Sequence, residues 1–160
     1  MDLSIYITTQ GMERMQKRIN ELMTERPEVI KAVAVAREFG DLSENAEYKA
    51  ARERQRAIDS EIDFLRRRAS TLKVVNSAAL PGDIVRFGCE CLTKDESTQE
   101  EIRFRLVGAA EVNLYEDEQD IQVVSVVSPI GRGLLGKKEN QIAEINAPMG
   151  KRRLRVVKIY

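Results

Sequence analysis

Asp41 and Glu44 stand three residues apart in GDLSENAEYKAARERQ, residues 40–55, with Lys49, Arg52, Arg54 and Arg56 directly behind them. Two carboxylates so spaced can converge on one point, and a hard cation such as Mg²⁺ takes one or two carboxylates together with water and substrate phosphate oxygens. About 5 Å apart in bulk water they repel by only about 0.8 kcal/mol, so an exposed pair is tolerated; in a drier site a cation would have to join them. The same spacing is a capping box, with Asp41 as N-cap acceptor and Glu44 three positions on, and acids suit a helix N-terminus. Ser43 and Asn45 are ordinary turn or cap residues. The residues alone leave capping and metal binding both open. Lys49, Arg52 and Arg56 recur at spacings of three and four, which puts them on one helix face with Arg54 to the side. That face is either a solvated flank paired with Glu47 and Glu53, or a track leading a nucleic-acid backbone toward the acids.

The rest of the composition narrows the chemistry. There is no histidine, which excludes Ser-His and Cys-His nucleophiles, imidazole acid-base work and His-ligated zinc. Cys89 and Cys91, the only cysteines, are too few and too close for a disulfide framework or a four-ligand zinc site, and read as buried strand residues. The 26 basic and 26 acidic residues cancel, so no global field announces nucleic acid. With 32% charged and 5% aromatic residues, the chain suits long solvated helices better than a large aromatic-walled pocket. MDLSIYITTQ lacks a basic region and an apolar run, and no later stretch approaches the roughly 20 apolar residues of a membrane span, so a cytoplasmic protein is expected.

The elements that must position the two acids follow from periodicity. Met12, Met15, Ile19, Leu22, Val29, Val33 and Ala36 keep a three-four spacing broken only at Arg26, and Tyr48, Ala51, Gln55, Ile58, Ile62, Leu65, Ala69 and Leu72 repeat it. Two coiled-coil seams of similar length joined by a short break predict an antiparallel helical hairpin. About 30 residues at roughly 1.5 Å each give a rod of about 45 Å with residues 40–45 at its tip. Thr8 or Thr9 would cap the first helix, Gly40 would end it, and Pro27 would kink it without stopping it. After Val75 the period becomes two. ALPGDIVRFG, EEIRFRLVG, DIQVVSVV, QIAEINAP and RRLRVVKIY predict a small antiparallel sheet, and SPIGRGLLGKKEN a loop with a helical turn over 133–137. The fold class is α+β, divided into a hairpin over 1–75, a linker over 76–78 and a sheet domain over 79–160.

AREFGDLSENAEYKAARERQ and VVSPIGRGLLGKKE resemble the two signature motifs of the bacterial Gre transcript cleavage factors (GreA and GreB), and the likeness extends along the whole chain. It implies an FKBP-like C-terminal domain docked on bacterial RNA polymerase, with the coiled coil entering the secondary channel of a backtracked complex. Asp41 and Glu44 match the family's acidic tip residues, which would share the second Mg²⁺ of the polymerase and orient a water for cleavage of nascent RNA. The protein would then be no enzyme itself but an activator of the polymerase's own cleavage, monomeric when free and holding no metal alone. Arg37 and Arg52 match positions of the family's basic patch toward the RNA 3′ end, joined by Lys49, Arg54 and Arg56 through proximity. Ser128, Pro129 and Ile130 match the region associated with polymerase docking. Val127 stands where members often have a polar residue, and Asn140-Gln141 where many have Gly-Asp; the chain mixes features of the two subtypes. The alternative is a channel-binding regulator that occludes polymerase without promoting cleavage. An isomerase activity is disfavoured, because Phe87, Phe104, Tyr115 and Tyr160 are the second half's only aromatics.

Overall fold

The three-four spacing is carried by two long helices, α1 (Thr9–Arg37) and α2 (Ala46–Thr71). The computed structural model describes residues 2–40 and 45–160. Met15, Ile19, Leu22, Val33 and Ala36 of α1 are buried, as are Ile58, Ile62 and Leu65 of α2, which are the seam positions read from the sequence. Arg26, the break in the first seam, bridges to Asp59 at 2.6 Å. Arg18 meets Glu61, Glu25 meets Arg54 and Ala36 meets Asn45, so numbers rise along α1 as they fall along α2, the mark of an antiparallel pair. Helix α1 runs through Pro27 without a stop. Pro27 is exposed, which leaves its ring outside the seam.

The β-rich part has two sheets. β1 (Tyr6–Thr8) pairs in parallel with β2 (Lys73–Val75), the strand that follows α2. The larger sheet contains β3 (Glu90–Asp95), β4 (Glu101–Val107), β5 (Gln122–Ser125), β6 (Ile142–Ala147) and β7 (Gly150–Ile159), ordered β5-β4-β3-β7-β6. Three of its pairings are antiparallel and β4–β5 is parallel, a departure from the wholly antiparallel expectation. The reason is the connection: residues 108–121 cross over with a 3-10 turn at Val112–Tyr115 instead of turning tightly. Phe104, Leu106, Val126, Leu134, Ala143, Ile145, Leu154 and Val156 form the core, with Cys89 and Cys91 inside it. Burial pushes the Cys91 thiol up to about 12, so it stays an unreactive apolar side chain.

Two local expectations are corrected. ALPGDIVRFG forms no strand: after Pro81-Gly82 the backbone is irregular, and Val85 bonds through its N–H to the Lys137 carbonyl and through its carbonyl to the Gly136 N–H. The helical turn lies earlier than 133–137, as α3 (Pro129–Leu134), because the Ser128 hydroxyl caps it by accepting from the Gly131 N–H and Pro129 fits its first turn. By contacts, residues 14–71 form one compact unit and residues 1–13 with 72–160 the other. The hairpin is therefore an insertion between β1 and β2. Among the described residues no helix is long and apolar enough to cross a membrane.

Candidate functional site

At the end of the hairpin α1 unwinds through a tight turn. The Glu38, Phe39 and Gly40 N–H groups bond to the carbonyls of Val35, Ala36 and Arg37 at 3.1, 3.3 and 3.4 Å, and Gly40 takes φ 99°, the left-handed ending read from the sequence. Asp41 and Glu44 lie outside the described residues. Asn45, directly before α2, accepts at Oδ1 from the Tyr48 N–H at 3.0 Å, the geometry of an N-cap. Its Nδ2 donates to the Ala36 carbonyl at 2.8 Å, satisfying an acceptor at the C-terminal end of α1. One amide thus pins both helix ends across the tip. Asn45 is the cap of α2; the Asp41–Glu44 capping box read from the sequence lies outside the described residues.

The cations expected near the tip sit on the described parts of both helices. Arg37 and Lys49 are exposed, with the Arg37 guanidinium 5.8 Å from the Tyr48 ring centroid. Arg52 is half-buried and donates to Gln55 Oε1 at 3.0 Å, and Arg56 is exposed. None of the four forms an ion pair among the described residues, so Glu47 and Glu53 do not neutralise them there. Arg54, set to the side by spacing, is taken up by Glu25 at 2.6 Å, just as Arg18 and Arg26 are taken up by Glu61 and Asp59. The Arg54 hydrogen bonds hold the Glu25 carboxyl below its ordinary range.

In the sheet unit, the Ser128 hydroxyl also donates to the Ser125 carbonyl at 2.6 Å; Pro129 is exposed and Ile130 half-buried. Beside α3, a shallow depression of about 430 Å³ is lined by Arg132, Leu135, Lys137, Ile142, Glu144 and Arg153. Asn140 takes φ 70°, a left-handed position that asparagine tolerates.

Residues 5–74 match the family described as transcription elongation factor, N-terminal, and residues 80–160 match transcription elongation factor, GreA/GreB, C-terminal. The chain belongs to the GreA/GreB transcription elongation factor family. Transcription elongation factor GreA of Rhodospirillum rubrum is 42% identical over 147 residues, 91% of this chain and 90% of that protein. GreA of Nitratidesulfovibrio vulgaris is 39% identical over 148 residues, 92% and 89% of the two chains. Among solved structures, GreA factor homolog 1 of Thermus thermophilus aligns over 98% of this chain and 99% of its own at 24% identity and a TM-score of 0.43. Membership rests on the sequence matches.

One group in this GreA/GreB-family chain escapes sequence reasoning. Glu111 is fully buried, and its Oε2 accepts from the N–H groups of Thr8 at 2.8 Å and Gly108 at 3.0 Å. Its Oε1 accepts from the Tyr115 hydroxyl at 2.8 Å and from the Thr8 hydroxyl. The Thr8 hydroxyl in turn accepts from the Gly11 N–H at 2.9 Å, which makes Thr8 the N-cap of α1. A Cβ on Gly11 would stand 2.3 Å from Glu111 Oε1, so glycine is required there for close approach. Burial pushes the Tyr115 hydroxyl up, keeping it a donor. Nothing local in EVNLYEDEQD separates Glu111 from the surface acids around it.

Proposed function

We propose that this elongation factor acts inside a backtracked RNA polymerase, where it stimulates endonucleolytic cleavage of nascent RNA by lending Asp41 and Glu44 to a Mg²⁺ site shared with the polymerase. The carrying observation is the Asn45 cap: with α2 capped by the amide, neither carboxylate is needed for that task. Two hard oxygen donors three residues apart fit Mg²⁺, which prefers few protein ligands and several waters. When bound, the ion supplies charge stabilisation at the phosphate oxygens and acidifies a bound water. Asp41 and Glu44 would hold it and accept hydrogen bonds from the attacking water. Arg37, Lys49, Arg52 and Arg56, without ion-pair partners among the described residues, would meet the RNA backbone, while Ser128, Pro129 and Ile130 would meet the polymerase. The polymerase supplies the cavity and the other metal, so the factor is an activator and no free-standing nuclease. The reading places it in the bacterial cytoplasm as a monomer that holds no metal alone.

Purified protein added to stalled, backtracked complexes with Mg²⁺ should release short 3′ RNA fragments. Asp41→Ala should abolish release while leaving polymerase binding intact. Release by Asp41→Ala at the normal rate would sink the metal-ligand role. Binding without any release by the unaltered protein would instead favour the occluding regulator.

A further inference from the structure

We infer that Phe39 is a stacking platform for an unpaired RNA base next to the bond being cut, an inference that rests on the cleavage reading above. Phe39 is 72% exposed, more than Met23, Ile30, Val35 and Phe64, the other exposed large apolar side chains among the described residues of the hairpin, and it stands beyond the last buried seam residue of α1, Ala36. Its ring belongs to no buried cluster, and the bonds of the turn come from the backbone and the Asn45 amide. Two trans peptides span at most about 7.6 Å, so the Phe39 Cα stays within about that distance of the Asp41 Cα whatever the path between them. If Asp41 stands at the reacting phosphate, the Phe39 ring is within reach of the flanking bases. Its surroundings suit that occupant: Arg37 lies two residues before it and already contacts the Tyr48 ring, and Lys49 is exposed on the facing helix. Cations interleaved with an exposed aromatic are the usual equipment for holding single-stranded nucleic acid without reading its sequence.

The test uses the full chain in complexes backtracked by a defined register, comparing transcripts that carry an ordinary or an abasic nucleotide directly 3′ of the bond being cut. On the ordinary transcript Phe39→Ala and Phe39→Leu should both cleave about 10-fold more slowly than the unaltered chain at equal polymerase occupancy, and Phe39→Trp should cleave as well. Leu keeps the apolar bulk and removes the π-face, so failure of Leu separates stacking from contact with polymerase side chains. On the abasic transcript the Phe and Ala proteins should become equal. A 6-thioguanosine placed directly 3′ of that bond should photo-crosslink to the tryptic peptide beginning at Glu38, and Phe39→Ala should lose the crosslink. Full activity of Phe39→Ala, rescue by Phe39→Leu, an undiminished difference on the abasic transcript, or a missing crosslink would each overturn the inference. If the unaltered chain crosslinks but does not cleave, the cleavage reading fails and the platform stands.

Discussion

The two compact units hold themselves together in opposite ways. In the sheet unit, fully buried Phe104, Leu106, Ile145 and Leu154 share an interior with a carboxylate that satisfies four donors. In the hairpin unit the interior is one seam wide, and its cross-helix ion pairs join side chains that remain 37–45% exposed at Arg26–Asp59 and Arg54–Glu25. A buried polar hub is costly to leave half-made, whereas exposed pairs are screened and cost side-chain entropy to hold. The sheet unit therefore concentrates its stability in few groups. The hairpin spreads it thinly, leaving its surface free to carry charge for another purpose.

The largest predicted break in this contrast is Glu111→Ala, which strands the Thr8 and Gly108 N–H groups and the Tyr115 hydroxyl. Denaturant unfolding followed on the sheet should show a loss of about 3–5 kcal/mol. Leu22→Ala removes a fully buried seam residue and should cost the hairpin about 2–4 kcal/mol, read as lost amide protection confined to α1 and α2. Asn45→Ala should cost about 1 kcal/mol. Asn45→Asp, which keeps the acceptor for the Tyr48 N–H but loses the donor to Ala36, should cost less in stability while raising the Mg²⁺ concentration needed for half-maximal RNA cleavage. Arg26→Ala should cost no more than about 0.5 kcal/mol, and the difference should vanish in high salt.

Acid should separate a local group in the sheet unit. The Ser97 hydroxyl, then the Ser97 and Thr98 N–H groups, hold the Asp95 carboxyl at about 2, below the roughly 3.9 of an unfolded chain. A depressed carboxyl stabilises the fold above the unfolded value and stops doing so as pH falls through the folded one. Asp95→Asn should therefore be less stable than the unaltered chain at pH 5, with the gap closing toward pH 2 in parallel denaturation curves. Glu90 follows the same sign: burial works against its charge, but hydrogen bonds from Arg105 and Arg103 outweigh that and hold it low.

Features set by local spacing were legible in the sequence. The seam residues Met15, Ile19, Leu22, Ile58, Ile62 and Leu65 declare themselves because a helix buries every third or fourth residue, and Gly40 because left-handed endings favour glycine. Features set by distant partners were not. Glu111 bonds to Thr8, 103 positions away in the chain, so its neighbours in sequence say nothing of it. β3 surrounds Cys91, yet Lys94 and Asp95 dilute its strand pattern, while Val85 and Phe87 carry a strand pattern into a segment bonded to the loop after α3. At the tip the capping box drew attention to Asp41, but a side chain that must serve two helix ends needs a donor and an acceptor together. The Asn45 amide carries both.

The parallel pairing of Tyr6–Thr8 with Lys73–Val75 also matters to anyone building hybrids from relatives of this chain. A chimera joined at residue 75, the natural cut by periodicity, would marry β1 and Thr8 of one parent to Glu111 of the other, splitting a lock from its key. Exchanging residues 14–71 as a cassette leaves the lock intact and moves the whole tip with its own Asn45 clasp. The rod is the transferable part of this molecule, and its first thirteen residues travel with the other end.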